Sequence, residues 1–249
     1  MVTTSKSSNP GPAGGPTAAA PFLSPAQERL WFLDQINPGD ASSNIARAVR
    51  INGVLDRDLL ERCLRQIVAR HESLRTTFAT TQLYAGVDSR PVQLVAESAN
   101  VSIEFVDIDS KDVCSLLREK AQRSFDLSLG PLICATLVKV TDQSHVLLIA
   151  AHRIIADEES LKILLRELFR TYATDATALP PLPLQYRDYA ARQLNVLESD
   201  SARQAIEYWR ESLAGAPPAI ELPNYRPKPG LSRSAAATVA VQLNETLVS

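Results

Sequence analysis

The strongest constraint in this chain is a pair of apolar runs, residues 133–140 and 146–151, separated by Thr141-Asp142-Gln143-Ser144 and His145. Both runs consist mostly of Ile, Val, Leu and Ala and are far too short to cross a bilayer. Without polar alternation they read as central strands buried on both faces, and Thr141 to Ser144 read as the hairpin turn between them. A sheet with such strands at its centre must be covered by packed helices, so the rest of the chain has to supply amphipathic ones.

It does so in sequence order. Structure is expected from Leu23, where Ser24, Pro25 and Gln27 read as N-cap, first helical residue and capping-box partner. That helix carries Leu30, Trp31 and Leu33 and stops before Asn37-Pro38-Gly39. Val49 and Ile51 alternate with Arg50 and Asn52 in a short strand closed by Gly53. From Asp56 to Arg75, Leu60, Leu64, Ile67, Val68 and Leu74 recur at helical spacing. Ile103 and Phe105 mark a further strand, and Val113, Leu116, Leu117 and Ala121 a further helix. Leu161, Leu164, Leu165 and Leu168 make the stripe of a helix after the second apolar run. The expected fold class is α/β, a mixed sheet with helices packed on it.

The flanks differ in character. Residues 1–21 hold four Pro and three Gly with almost no bulky apolar side chain, the composition of a disordered tail. After Ala178, Pro180, Pro181 and Pro183 break the chain, and helical stretches follow at 184–196 and 202–214, the second with Ser201 and Gln204 as a capping box. Pro217, Pro218, Pro223, Pro227 and Pro229 read as an extended linker, Val239, Val241 and Leu243 as a last strand, and Asn244 as an N-cap. The expected organisation is a tail (1–21), a main body (22–178) and a segment of crossover helices and linker (179–249).

Composition narrows the function classes. The 249 residues can bury a sizeable core, and a formal charge of −2 offers no attraction for nucleic acid or an anionic membrane. Cys63, Cys114 and Cys134 are odd in number and lack metal-ligand spacing with any His, which points away from zinc and toward reduced thiols. The N-terminus has one Lys and no apolar core of a secretory signal, so the expected location is cytoplasmic.

One constellation carries potential chemistry: His152-Arg153-Ile154-Ile155-Ala156-Asp157-Glu158, between the second apolar run and a helix. Such junctions are where α/β proteins present polar side chains. Taken alone, His152 reads as a structural histidine at a strand end, and Asp157, Glu158 and Glu159 suit the positive end of a helix dipole. Arg70 and Arg75 read as solvated helix-end cations, His71 as a packing or capping residue, His145 as exposed, and Trp31 and Trp209 as core or interface aromatics. Ser160 lacks the G-x-S-x-G setting of a serine hydrolase.

Five further stretches give the constellation a context. They are Leu23-Ser24-Pro25-Ala26-Gln27-Glu28-Arg29-Leu30-Trp31-Phe32-Leu33, Arg70-His71-Glu72-Ser73-Leu74-Arg75-Thr76-Thr77-Phe78, Tyr186-Arg187-Asp188-Tyr189-Ala190, Tyr208-Trp209 and Leu222-Pro223-Asn224-Tyr225-Arg226-Pro227. In this order and spacing, over residues 22–245, the chain resembles the N-terminal half of a condensation domain of nonribosomal peptide synthetases, a family with the chloramphenicol acetyltransferase fold. The resemblance implies an acyltransferase ancestry and a carrier protein or other synthetase domain as partner. It also implies the phosphopantetheine arm of that carrier as substrate tether, with no cofactor held by the chain itself.

In that family the junction reads HHxxxDG. The second His positions or deprotonates the acceptor amine, and the Asp makes a structural ion pair with an arginine. By resemblance His152 is the first His and Asp157 the Asp, with Arg70 or Arg75 as its partner; Arg153 replaces the second His and Glu158 the Gly. Arg stays protonated and has no acceptor, so it cannot take a proton from an amine. Loss of a general base costs on the order of 10²–10⁴ in rate. Glu158 adds a side chain and a charge where Gly allows close approach. The family's active site also lies between two halves, and the resemblance covers the first half and the start of the second. The expectation is an impaired condensation-type half-domain that acts by binding. The alternative is an acyltransferase, forming an amide or ester, completed by a separate C-terminal half or by a second copy of this chain.

Overall fold

The computed structural model describes residues 22–81, 90–108, 112–174 and 179–217; the expected tail, the Pro-rich linker beyond Pro217, the last strand and the Asn244 cap lie outside them. The two apolar runs become β5 (Ile133–Thr141) and β6 (Ser144–His152), antiparallel and joined by the two-residue turn Asp142-Gln143. They are the inner strands of a four-stranded sheet. Its outer strands are β1 (Asn44–Asn52), antiparallel to β6, and β4 (Ile103–Asp107), parallel to β5, giving the order β1-β6-β5-β4. The sheet is mixed, as expected.

Leu147, Ile149 and Ala151 of β6 face the main core, while the alternate set Val146, Leu148 and Ala150, which a strand directs to the other face, is buried as well. Two helices fill the core side, α2 (Arg57–Arg70) through Leu60, Leu64 and Ile67, and α4 (Glu158–Thr174) through Leu161, Leu164, Leu165 and Leu168. Each of these buried side chains stabilises the fold by roughly 1.5–3 kcal/mol. Helix α3 (Val113–Ala121) packs against β1, β5 and β6. A separate ribbon, β2 (Thr76–Thr81) with β3 (Arg90–Val95), is antiparallel. Phe78 of β2 and Val92 of β3 are buried, but each strand is too short and mixed for the sequence pattern to mark it.

Helix α1 (Pro25–Ile36) begins as its capping box predicts: Gln27 N donates to Ser24 Oγ at 3.3 Å and Ser24 N to Gln27 Oε1 at 3.1 Å. Helix α2 is shorter than the periodicity suggests. It ends at Arg70, and residues Glu72–Arg75 form one 3-10 turn held by Thr76 Oγ1 donating to Glu72 O at 2.7 Å. The break falls at His71, whose backbone is extended and whose ring is taken up by α4. His145, expected exposed, is buried in β6 opposite Ile51 and Lys139, and its Nδ1 has no partner among the described residues.

The chain divides into two compact units, Met1–Arg203 and Gln204–Ser249. Helix α5 (Tyr186–Leu197) is tied to the first through Tyr186 Oη against Ser24 Oγ at 2.9 Å and Arg187 against Glu72 at 3.0 Å. Helix α6 (Asp200–Ser212) starts earlier than Ser201, whose hydroxyl does not cap it; Ser199 Oγ accepts from Ala202 N at 3.3 Å instead. In the second unit the Tyr208 and Trp209 rings meet edge to face at 5.4 Å, and Trp209 is exposed rather than part of a core.

Candidate functional site at the end of the central hairpin

The last residue of β6 is His152, which pairs with Asn44 of β1 and is buried. Its backbone N–H donates to Leu132 O and that of Arg153 to Ser43 O, both at 2.9 Å, so the chain leaves the sheet under tight backbone control. Ile154, Ile155 and Ala156 then fold inward and are buried. Gln27, the capping residue of α1, also anchors this loop, since its Nε2 donates to Ile154 O at 3.2 Å.

The His152 ring is fixed by the same loop. Ile154 N donates to its Nδ1 at 3.2 Å, so the neutral imidazole carries its proton on Nε2 and has no free lone pair. Burial pushes the ring's pKa below 6.5, with Asp34 pulling weakly the other way. Protonation would also set two donors, Nδ1–H and Ile154 N–H, against each other. A cavity of about 160 Å³ adjoins the ring, with Leu33, Asp34, Asp40 and Ser43 in its walls. Burial and the Ile154 bond both favour the neutral ring, with Nδ1 already engaged.

Arg153 and Glu158 are exposed. Asp157 is exposed too, and its role differs from the one the resemblance implied. Its Oδ1 accepts from Ser160 N at 2.8 Å and Ser160 Oγ at 2.5 Å, and its own N–H donates back to Ser160 Oγ at 3.2 Å. This is the N-cap of α4, with Glu158 and Glu159 in the first turn. The Ser160 bonds hold the Asp157 carboxyl below the usual range.

The expected ion pair between Asp157 and Arg70 or Arg75 is therefore not made. Arg70 Nη1 donates to Glu167 Oε1 of α4 at 2.6 Å and its Nε to Pro180 O at 2.9 Å. Arg75 lies 3.7 Å from Glu72 and donates to Ala96 O. Between the Arg75 turn and the Asp157 loop lies a cavity of about 110 Å³, with His71, Ser73, Ala156 and Ser160 in its walls. The carboxylate turns toward its own helix, where two donors already satisfy it.

Sequence reasoning missed Glu167, which gathers Arg70 and, at 2.7 Å, His71 Nε2. No local signal separates it from Glu158 or Glu159, because its partners lie far away in the chain. Gln185 was missed for the same reason: its side chain joins Glu72 N and Arg70 O.

Comparisons with known proteins agree with this architecture. The family model described as Condensation domain matches residues 19–249. Phosphinothricin tripeptide synthetase PhsB of Streptomyces viridochromogenes is 36% identical over 94% of this chain and 21% of its own length. Malpibaldin synthetase of Mortierella alpina is 36% identical over 89% of this chain and 4% of its own length. Among solved structures, the complex of the X-domain and OxyB from teicoplanin biosynthesis superposes with a TM-score of 0.75 at 29% identity, over 90% of this chain and 50% of that one. The starter condensation domain of rhizomide synthetase RzmA shares the fold, with a TM-score of 0.70 at 21% identity, over 81% of this chain and 49% of that one. The chain thus spans about half of these solved relatives and a small part of the two synthetases. No helix among the described residues is long and apolar enough to cross a membrane. The mixed sheet with its packed helices is the acetyltransferase-like half-domain architecture, and the chain belongs to the Condensation domain family.

Proposed function

We propose that this chain is a catalytically silent condensation-type domain whose role is to bind a protein partner, either a carrier protein bearing a phosphopantetheine-tethered substrate or a neighbouring enzyme of a peptide-synthetase assembly. The observation that carries this reading is the pairing of Arg153 in the base position with a His152 ring whose Nδ1 is already bonded to Ile154 N–H. Neither side chain offers a lone pair to an amine. The likeness to a relative solved in complex with OxyB supports a protein partner.

The test is a reconstituted reaction with two carrier-bound aminoacyl thioesters. The expected result is product at the uncatalysed rate, together with co-elution of the chain with a carrier or enzyme of its assembly. A second reading, an acyltransferase completed by another half or by a second copy, draws support from the match to the Condensation domain family. Turnover above background that His152→Ala abolishes would establish that reading in place of the first.

A further inference from the structure

The cavity beside His152 holds an unmet donor. The ring is only 3% exposed and forms part of the wall of this space of about 160 Å³, with Leu33, Asp34, Ile36 and Ser43 around it. Nδ1 is engaged by Ile154 N of the ring's own loop, and Nε2 lies on the far side of the ring. The Nε2–H meets no acceptor among the described residues. Buried polar groups are rarely left unpaired, so a group that accepts from this donor is favoured in the cavity.

Most other polar groups of the wall are already engaged. Asp40 Oδ1 accepts from Ser42 N at 3.0 Å, and its Oδ2 accepts from Asn37 Nδ2 at 3.0 Å and Ser42 Oγ at 2.8 Å. Asp34 differs. Its Oδ1 accepts from Gly39 N at 3.2 Å, while no donor among the described residues reaches its Oδ2. Its charge is also near enough to the His152 ring to act against the effect of burial. The cavity thus offers a neutral N–H donor and a carboxylate acceptor, and an occupant has to complement both.

We infer that this cavity binds a neutral amide group, its carbonyl oxygen accepting from His152 Nε2–H and its N–H donating to Asp34. Charged occupants match one side only. A carboxylate would accept from His152 but would be repelled by Asp34 and Asp40; an ammonium or guanidinium would suit Asp34 but has no acceptor for His152. An amide carries both functions without a charge. The volume takes roughly five waters, enough for a short-stemmed amide, and Leu33 and Ile36 supply apolar wall for the stem. The inference uses the ring's tautomer and is independent of whether the chain turns over a thioester.

The test is a titration of the nitrogen-15 histidine-labelled chain at pH 7.5 with acetamide and with N-methylacetamide. The His152 Nε2 resonance, assigned with His71→Gln and His145→Gln, should shift saturably, with a Kd on the order of 10 mM for such small probes. Acetate and n-propylguanidinium at the same concentrations should leave it in place. Asp34→Asn keeps an acceptor for Gly39 N and should weaken amide binding about tenfold, the worth of a hydrogen bond to a charged group. Tighter binding of acetamide assigns the cavity to a primary carboxamide such as a partner's asparagine or glutamine side chain. Tighter binding of N-methylacetamide assigns it to an amide within a chain. No saturation with either amide means that the cavity holds water only, and overturns the site. An equal response to either charged probe overturns it without recourse to a variant. Amide binding indifferent to Asp34→Asn, in a variant of unchanged circular dichroism, does so as well.

Discussion

Two polar clusters sit at α4, and they are built in opposite ways. At its start, Asp157 and Ser160 satisfy each other three residues apart, in the open. Further along, Glu167 holds Arg70 and His71, which lie 97 and 96 residues away and are mostly shielded from solvent. The first cluster fixes where a helix begins; the second fixes how α4 meets α2. A carboxylate with local donors at hand uses them, and the long-range ionic joint falls to a residue that has none.

That contrast sets the expected sizes of substitution effects. Glu167→Ala should be the most damaging, because it leaves a shielded guanidinium and an imidazole without their acceptor; roughly 2–4 kcal/mol is expected by urea denaturation. A loss below about 0.5 kcal/mol would place it with ordinary surface changes. Asp157→Ala should cost only about 0.5–2 kcal/mol, the worth of an N-cap. A cost near 3–5 kcal/mol would instead reveal the buried ion pair that the family resemblance implied.

Between pH 7.5 and 5.5 acid should act on the sheet through two histidines. His145 and His152 are both pushed below 6.5 by burial, His145 further by Arg57 and Lys139 despite Asp142 nearby. The fold favours their neutral forms, so this contribution is full above the unfolded value near 6.5 and is lost as pH falls below it. Stability measured from pH 7.5 to 5.5 should decline, and His145→Gln should flatten the slope. A slope unchanged by both His145→Gln and His152→Gln would refute the assignment. The smallest effect is expected from Arg153→His, an exposed change that should alter stability by less than about 0.5 kcal/mol.

How much of this is legible in the sequence follows the same division. The β5–β6 hairpin, the Ser24–Gln27 cap and the stripes of α2 and α4 rest on periodicity or on residues three apart, and they stand as read. The end of α2 is misplaced by periodicity because His71 answers to Glu167 across the core. His145 reads as exposed because it follows a polar turn, yet its neighbours on β1 and β5 bury it. The β2–β3 ribbon escapes because β2 has one bulky apolar residue, Phe78, among threonines, and the apolar set of β3, Val92, Leu94 and Val95, is short. At the candidate site, the positions of His152, Arg153, Asp157 and Glu158 are legible. The ring lock by Ile154 and the anchoring by Gln27 are not, since both depend on how the loop folds back.

The central claim is that this site holds no general base, and it can be put to the His152 ring directly. Nitrogen-15 NMR of histidine-labelled protein, with His71→Gln and His145→Gln used for assignment, reports both tautomer and titration. The account predicts a ring that titrates below 6.5, with the proton of its neutral form on Nε2 and an acceptor-type Nδ1. A proton on Nδ1, or a titration at or above 6.5, would give His152 a lone pair or a charge to spend on an amine and would contradict it.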